Sequence, residues 1–276
     1  MQPIDLWTLA YSLVSLVIVI IRLDSKDILL PFICLVLVIA VALYVPRARR
    51  AGSIGAFVGE FYPVFLTIAL YSEVGMSNRA VGISYDSLVQ SWEVAIFDGQ
   101  PSLKWMTAWP NPLVSTIFHI SYLSYYLIVI GVPMYLWFTG RRLAARRTIL
   151  IMMVTYYICY TIFRLFPVAG PRFVFPLQPV HGAVAAFAHH LVAGGSAWGT
   201  AFPSSHIAVA FVNATNAWSS SRNFGIVVWS MAILLALGTV YGQFHYAVDA
   251  IAGALCALGI LAVNFLISAS RTRRIS

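Results

Sequence analysis

The chain has 276 residues, 61% of them hydrophobic and 9% charged, with a net charge of +8 and a mean hydropathy of +0.85. A soluble domain carries about 25% charged residues, so these charges are too few to cover a water-facing surface; a soluble enzyme is excluded, and so is a disordered chain. The basic residues sit in short clusters between long apolar runs, which is the pattern of a multi-pass membrane protein and not of a nucleic-acid binder.

A bilayer span needs roughly 17–25 predominantly apolar residues in a row. In chain order, eight such stretches are read at 7–22, 28–45, 55–72, 112–139, 148–168, 204–219, 224–241 and 246–269. The first lacks a basic segment before it and a small-residue cleavage site after it, so it is expected to be a span and not a removed signal peptide. The second ends at Pro46 and the cluster Arg47, Arg49, Arg50; Gly55, Gly59, Glu60 and Pro63 dilute the third. Glu60, inside that span, is a candidate partner for a buried cation. Residues 73–111 are a polar interlude in which Tyr85 to Phe97 reads as an amphipathic helix on the membrane surface. Residues 169–203 form a second long loop, rich in Gly, Pro and His. No internal repeat is visible. The expected fold is all-α, a polytopic bundle of about eight transmembrane helices, and Cys34, Cys159 and Cys256 read as small hydrophobes within apolar runs.

Basic residues orient the bundle. With a cytoplasmic N-terminus, the loops 46–54, 140–147 and 219–223 and the tail 270–276 hold Arg47, Arg49, Arg50, Arg141, Arg142, Arg146, Arg147, Arg222, Arg271, Arg273 and Arg274, which is 11 of the 17 Lys/Arg. That asymmetry places both termini in the cytoplasm and both long loops outside it, in the periplasm or a lumen.

Polar residues that are costly in lipid mark the places to look for chemistry. Beyond Asp98 the chain has one carboxylate, Asp249, and His245 precedes it by four residues. Positions i and i+4 share a helix face, so the carboxylate can fix the imidazole's tautomer and leave its other nitrogen free to attack. A second group, Pro203-Ser204-Ser205-His206, opens another span. A helix start offers free N–H groups and the positive end of the dipole to a phosphate, and His206 adds a group able to protonate a leaving oxygen. The third group holds Arg164 and Arg172, which flank Pro167 and Gly170. Arginine's planar fork matches phosphate oxygens; for Arg164 the lesser alternative is that it snorkels to the interface. All three groups fall at the same membrane face in the eight-span layout. Together they read as a phosphoryl-transfer site needing no metal and no cofactor.

These residues resemble the type-2 phosphatidic acid phosphatase superfamily, whose three motifs run in order as Lys-x6-Arg-Pro, Pro-Ser-Gly-His and Ser-Arg-x5-His-x3-Asp. Pro203-Ser204-Ser205-His206 matches the second with Ser205 for Gly, and His245 and Asp249 match the third at the right spacing. The resemblance implies that His245 is the nucleophile forming a phosphohistidine, Asp249 its orienting partner and His206 the acid and base. Arg164, Arg172, Ser204 and Ser205 would then bind phosphate. It also implies a six-helix catalytic core at 55–276, preceded by an N-terminal pair of transmembrane helices at 1–54. Gly238-Thr239 stands where the third motif has Ser-Arg, so one phosphate-binding arginine is missing, and Arg172 lies one residue further along than the first motif places it. The run Leu165-Phe166-Pro167-Val168-Ala169-Gly170-Pro171-Arg172, with Trp92-Glu93-x3-Phe97-x-Gly99, is similar to the inositol-phosphorylceramide synthase branch and more distantly to sphingomyelin synthases.

The expected activity is therefore cleavage of a membrane lipid phosphate ester through a phosphohistidine on the extracytoplasmic face. The alternative is a headgroup transferase that uses an alcohol in place of water. A transporter, which would show repeats and broken helices at the bilayer midplane, an inactive binding protein and a vanadate-using haloperoxidase are more remote. Ordinary readings cover the rest. His119 and Tyr122, Tyr125 and Tyr126 line the bundle, His181, His189 and His190 sit in the outer loop, and Trp92, Trp105 and Trp109 form an aromatic belt.

Overall fold

The computed structural model describes residues 1–24, 27–179 and 182–273, so Lys26, His181 and Arg274 lie outside the described residues, and of Arg271 and Arg273 only the backbone is described. Helices make up most of this range, with loops between them and one isolated β-bridge, Val168 with Thr200. In order it forms α1 (Pro3–Arg22), α2 (Leu29–Ala48), α3 (Gly52–Val81), α4 (Asp86–Phe97), α5 (Pro101–Ala108) and α6 (Pro112–Tyr126). α6 continues through a π-turn at Leu127–Gly131 into α7 (Val132–Phe138). Then come α8 (Arg142–Leu165), the single turn α9 (Pro171–Val174), α10 (Ala183–Gly195), α11 (Ser205–Ser220), α12 (Arg222–Tyr241) and α13 (Ala247–Arg273).

Among the described residues, seven helices are long and apolar enough to cross a membrane: α1, α2, α3, the joined α6–α7, α8, α12 and α13. The protein is thus an all-α, multi-pass membrane protein. The eighth expected span, 204–219, is helical but short. Its 16 residues reach about 24 Å at 1.5 Å per residue, against a hydrocarbon core of about 30 Å. α11 lies deep in the bundle, where Ile207, Ala208, Val209, Ala210 and Ala214 are wholly buried. The diluted third span extends well past its expected end, to Val81. It tolerates Glu60 because that carboxylate meets Arg146 at 2.9 Å and Gln2 at 2.7 Å.

Contacts between distant helices define two ends. At one, Asp5 holds Arg49 through two bonds of 2.6 and 2.8 Å, and Arg141 donates to the Ser220 carbonyl at 2.8 Å. This end collects the starts of α1, α3 and α8 and the finish of α2 and α11. At the other, Arg22 donates to the Arg164 carbonyl, Asn78 donates to the carbonyls of Phe163 and Gly199 at 3.0 Å, and the Ser204 N–H donates to the Asp249 carbonyl at 3.0 Å. The helices therefore alternate in direction, α11 included. In lipid, close backbone approach replaces the hydrophobic effect as the driving force between helices. Gly238 makes room of this kind, since a Cβ there would lie 2.4 Å from the Phe118 carbonyl oxygen.

Candidate active site

α12 ends at Tyr241 and α13 begins at Ala247, and the turn between them is pinned from above. Gln243 adopts a left-handed φ of 59° and is fully buried. Its amide donates to the Pro176 carbonyl and its oxygen accepts from the Gln178 N–H, both at 2.9 Å. Two residues on, His245 points into the bundle, with its Nδ1 3.3 Å from Asp249 Oδ2. The same oxygen accepts the Tyr246 N–H at 2.9 Å, so the carboxylate is fixed before it fixes the imidazole. With the Nδ1 proton given to Asp249, the lone pair of His245 is on Nε2, which lies 3.4 Å from His206 Nδ1. Burial holds the His245 imidazole down at about 4, so the ring is neutral at pH 7.

Ser204 is the N-cap of α11, yet its hydroxyl makes no capping bond; it is buried and without a partner, as is Asp249 Oδ1. The starts of α11 and α13 meet because residue 253 is glycine: a Cβ there would sit 2.4 Å from the Ser204 carbonyl oxygen. The result places His245, Asp249, His206, Ser204 and Ser205 together at one helix N-terminus. Its first-turn N–H groups have no intrahelical acceptor.

The two arginines are placed differently. Arg172 is half-buried and donates to Ser196 Oγ at 3.3 Å; Ser196, like His206, lines a cavity that Arg172 reaches only through this serine. Arg164 is 1% exposed and pairs with Glu73, with Nη1 on Ser77 Oγ at 2.7 Å. It is packed among α1, α3 and α8 and does not line that cavity. Glu73 and Ser77 are one turn apart on α3 and form a ready-made acceptor, and a buried guanidinium takes the carboxylate offered to it.

Sequence reasoning missed the support beneath the site. Asp86 accepts the N–H groups of Ala169 and Gly170 at 2.7 and 2.9 Å and the Tyr246 hydroxyl at 2.9 Å. Gly170 has a φ of +94°, which few other residues adopt. One carboxylate thereby ties the arginine loop to the residue that follows His245. Glu93, on the same face of α4, accepts the Val248 N–H at 2.8 Å, and its second oxygen has no partner. Burial, with the charge of Asp249, pushes its carboxyl up to about 7, against the pull of that N–H. The spacing of Asp86, Val89 and Glu93 is legible as one helix face; its partner, the start of α13, is not.

The cavity measures about 620 Å³ and reaches His206 and Ser205 from the side. Buried or half-buried Tyr71, Tyr122, Tyr125, Tyr156, Tyr160 and Val64 line its inner part, and exposed Tyr126, Phe65, Ile68 and Ile130 its outer part. Phe65 and Ile68 are exposed at 61% and 73%, so the outer wall opens where acyl chains run. Tyr125 lies with its ring 4.3 Å from that of His206. Arg79, at the far end of α3, also lines the cavity and was not singled out from the sequence. Among the described residues no group of three His, Cys, Asp or Glu is arranged to hold a metal.

A family model described as PAP2 superfamily matches residues 88–263, from α4 through most of α13. No curated protein and no solved structure matches the chain.

Proposed function

The chain belongs to the PAP2 superfamily, a membrane family of the phosphatase and phosphotransferase type, and from that premise we propose that it cleaves a lipid phosphate ester through a phosphohistidine on His245. The observation that carries this reading is the contact of His245 with Asp249 on one ring nitrogen and with His206 on the other, at the mouth of a laterally open cavity. His245 Nε2 attacks phosphorus and the bond to the ester oxygen breaks. Asp249 stabilises the charge that develops on the ring, and His206 gives a proton to the departing alcohol. Water then attacks the phosphorus, His206 takes its proton, and the P–N bond breaks to release phosphate. Arg172, Ser204, Ser205 and the first-turn N–H groups of α11 hold the phosphate oxygens. Arg164 would join them only by leaving Glu73. The chemistry needs no metal or cofactor.

The eleven basic residues of the cytoplasmic loops and tail support a site on the extracytoplasmic side with both termini in the cytoplasm. The division into an N-terminal pair at 1–54 and a core at 55–276 belongs to the same proposal; the family match, residues 88–263, lies within that core and does not reach its first helix, α3. Phosphate release from phosphatidic acid by detergent-purified protein tests the reading. His245→Ala and His206→Ala should each reduce it by about a thousandfold or more, and full activity in either variant would refute it.

A second reading, transfer of the phospho-headgroup to an alcohol, draws on the tyrosine-lined cavity beside His206, which offers hydroxyl partners to a polyol acceptor. Comparing free phosphate with transfer to added inositol or diacylglycerol separates the two.

A further inference from the structure

The arginine-rich end, opposite His245, holds two basic sites of opposite character. In the first, Arg49 and Arg146 are neutralised by Asp5 and Glu60, at 2.6 and 2.9 Å. In the second, Arg141, Arg142 and Arg147 stand around a separate cavity of about 660 Å³ between α8, α11 and α13. No carboxylate lines it, and none of the three arginines has an ion-pair partner among the described residues. Their contacts are with uncharged groups: Arg141 with Ser220 at 2.8 and 2.5 Å, Arg147 with Ser268 at 3.1 Å, and Arg142 over the Trp137 ring at 5.0 Å. Asn216 and Asn264 line the floor, and Phe265 and Leu143, 70% and 81% exposed, flank the opening on the lipid side.

All three arginines are exposed, but water screens their mutual repulsion only in part, and positive-inside topology alone does not require them to converge on a cavity. Basic pockets between transmembrane helices on the cytoplasmic side hold anionic headgroups. Arginine's fork matches phosphate oxygens in pairs.

We infer that the cavity formed by Arg141, Arg142 and Arg147 binds a phosphate-ester anion, the headgroup of an anionic phospholipid or a soluble phosphate ester, as a site separate from the catalytic one. The lipid-side aromatic and aliphatic flank fits a glycerophospholipid with its chains beside α13.

The test is native mass spectrometry of the full chain from nanodiscs containing phosphatidylglycerol or phosphatidylcholine, with a parallel thermal-shift titration by glycerol 3-phosphate. The wild type should retain phosphatidylglycerol in preference to phosphatidylcholine, and the pair Arg141→Gln with Arg147→Gln should lower that retention roughly tenfold or more. Arg50→Gln, at the same end but not lining the cavity, should leave it unchanged. Each single variant is measured too, so that a poorly folding double variant does not block the result. A matching thermal shift with glycerol 3-phosphate, lost in the same variants, supports a soluble ester as a second ligand; a shift with lipid alone assigns the site to the headgroup. Equal retention of both lipids by the wild type, or undiminished retention in every arginine variant, overturns the inference.

Discussion

Among the described residues, two histidine pairs stand at nearly equal separation inside the bundle: His206 with His245, ring nitrogens 3.4 Å apart, and His119 with His189, 3.2 Å apart. They differ in what stands behind them. His245 gives its Nδ1 proton to a carboxylate, Asp249, whereas His119 gives its own to the backbone carbonyl of Ser115 at 2.7 Å. A carboxylate can stabilise the charge that an imidazole acquires when it attacks, and a neutral carbonyl stabilises it far less. The first pair also faces a helix N-terminus and a cavity, while the second is closed in by Phe244 and Tyr241. On the proposed reading two imidazoles in contact do not by themselves make a site; the carboxylate and the opening distinguish the first pair.

The comparison can be broken at the carboxylate. Asp249→Asn should leave the packing near His245 intact and lower turnover by about 10²–10⁴-fold, read as phosphate release at saturating substrate. Activity near wild type would remove the distinction between the pairs. Next in size come the two arginines. Arg172→Ala should raise KM by roughly tenfold to a hundredfold, the loss of one or two charge-assisted hydrogen bonds. Arg164→Ala should instead lower the thermal midpoint, because it leaves Glu73 charged and buried at a cost of about 3–5 kcal/mol. Matching KM effects without loss of stability would put Arg164 on the phosphate.

Smaller still is the effect of the second pair. His119→Gln and His189→Gln should each keep turnover within about tenfold of wild type while lowering stability by about 1–3 kcal/mol, the cost of an orphaned buried partner. A collapse of turnover at full stability would assign that pair to the chemistry. The last prediction concerns pH. Burial holds His189 and His245 at about 4, below their ordinary 6.5. Their folded forms bind fewer protons than the unfolded chain, so the stability they contribute is present above pH 6.5 and is lost as pH falls toward 4. Glu93, raised to about 7 from 4.5, has the opposite sign: its share is present below 4.5 and lost as pH rises through 7. Thermal midpoints across this range should show that Glu93→Gln flattens the alkaline side and His189→Gln the acid side.

The helices and the His245–Asp249 pair are legible in the sequence because both are local. Apolar runs report spans, and His245 and Asp249 share one turn. His206 needed the motif to connect it, 39 positions away. What stayed hidden depends on pairings across the chain: Glu73 with Arg164, 91 positions apart, and Asp86 with the loop at 169–170. An acidic residue in an apolar run shows that a partner exists, as Glu60 did, but not which one. The stretch at 204–219 matches α11 to within one residue, but its standing as a full-length span was not legible, for a related reason. A buried helix inside a bundle keeps its apolar composition without having to match the bilayer thickness.

The central claim is tested most directly by rapid-quench labelling with a substrate carrying radioactive phosphorus. The label should enter the protein transiently as an acid-labile, base-stable phosphohistidine that maps to His245 by mass spectrometry, and it should be absent from His245→Ala. Turnover by the wild type with no labelled intermediate at any quench time, or label mapping to His206, His119 or His189, would contradict the account.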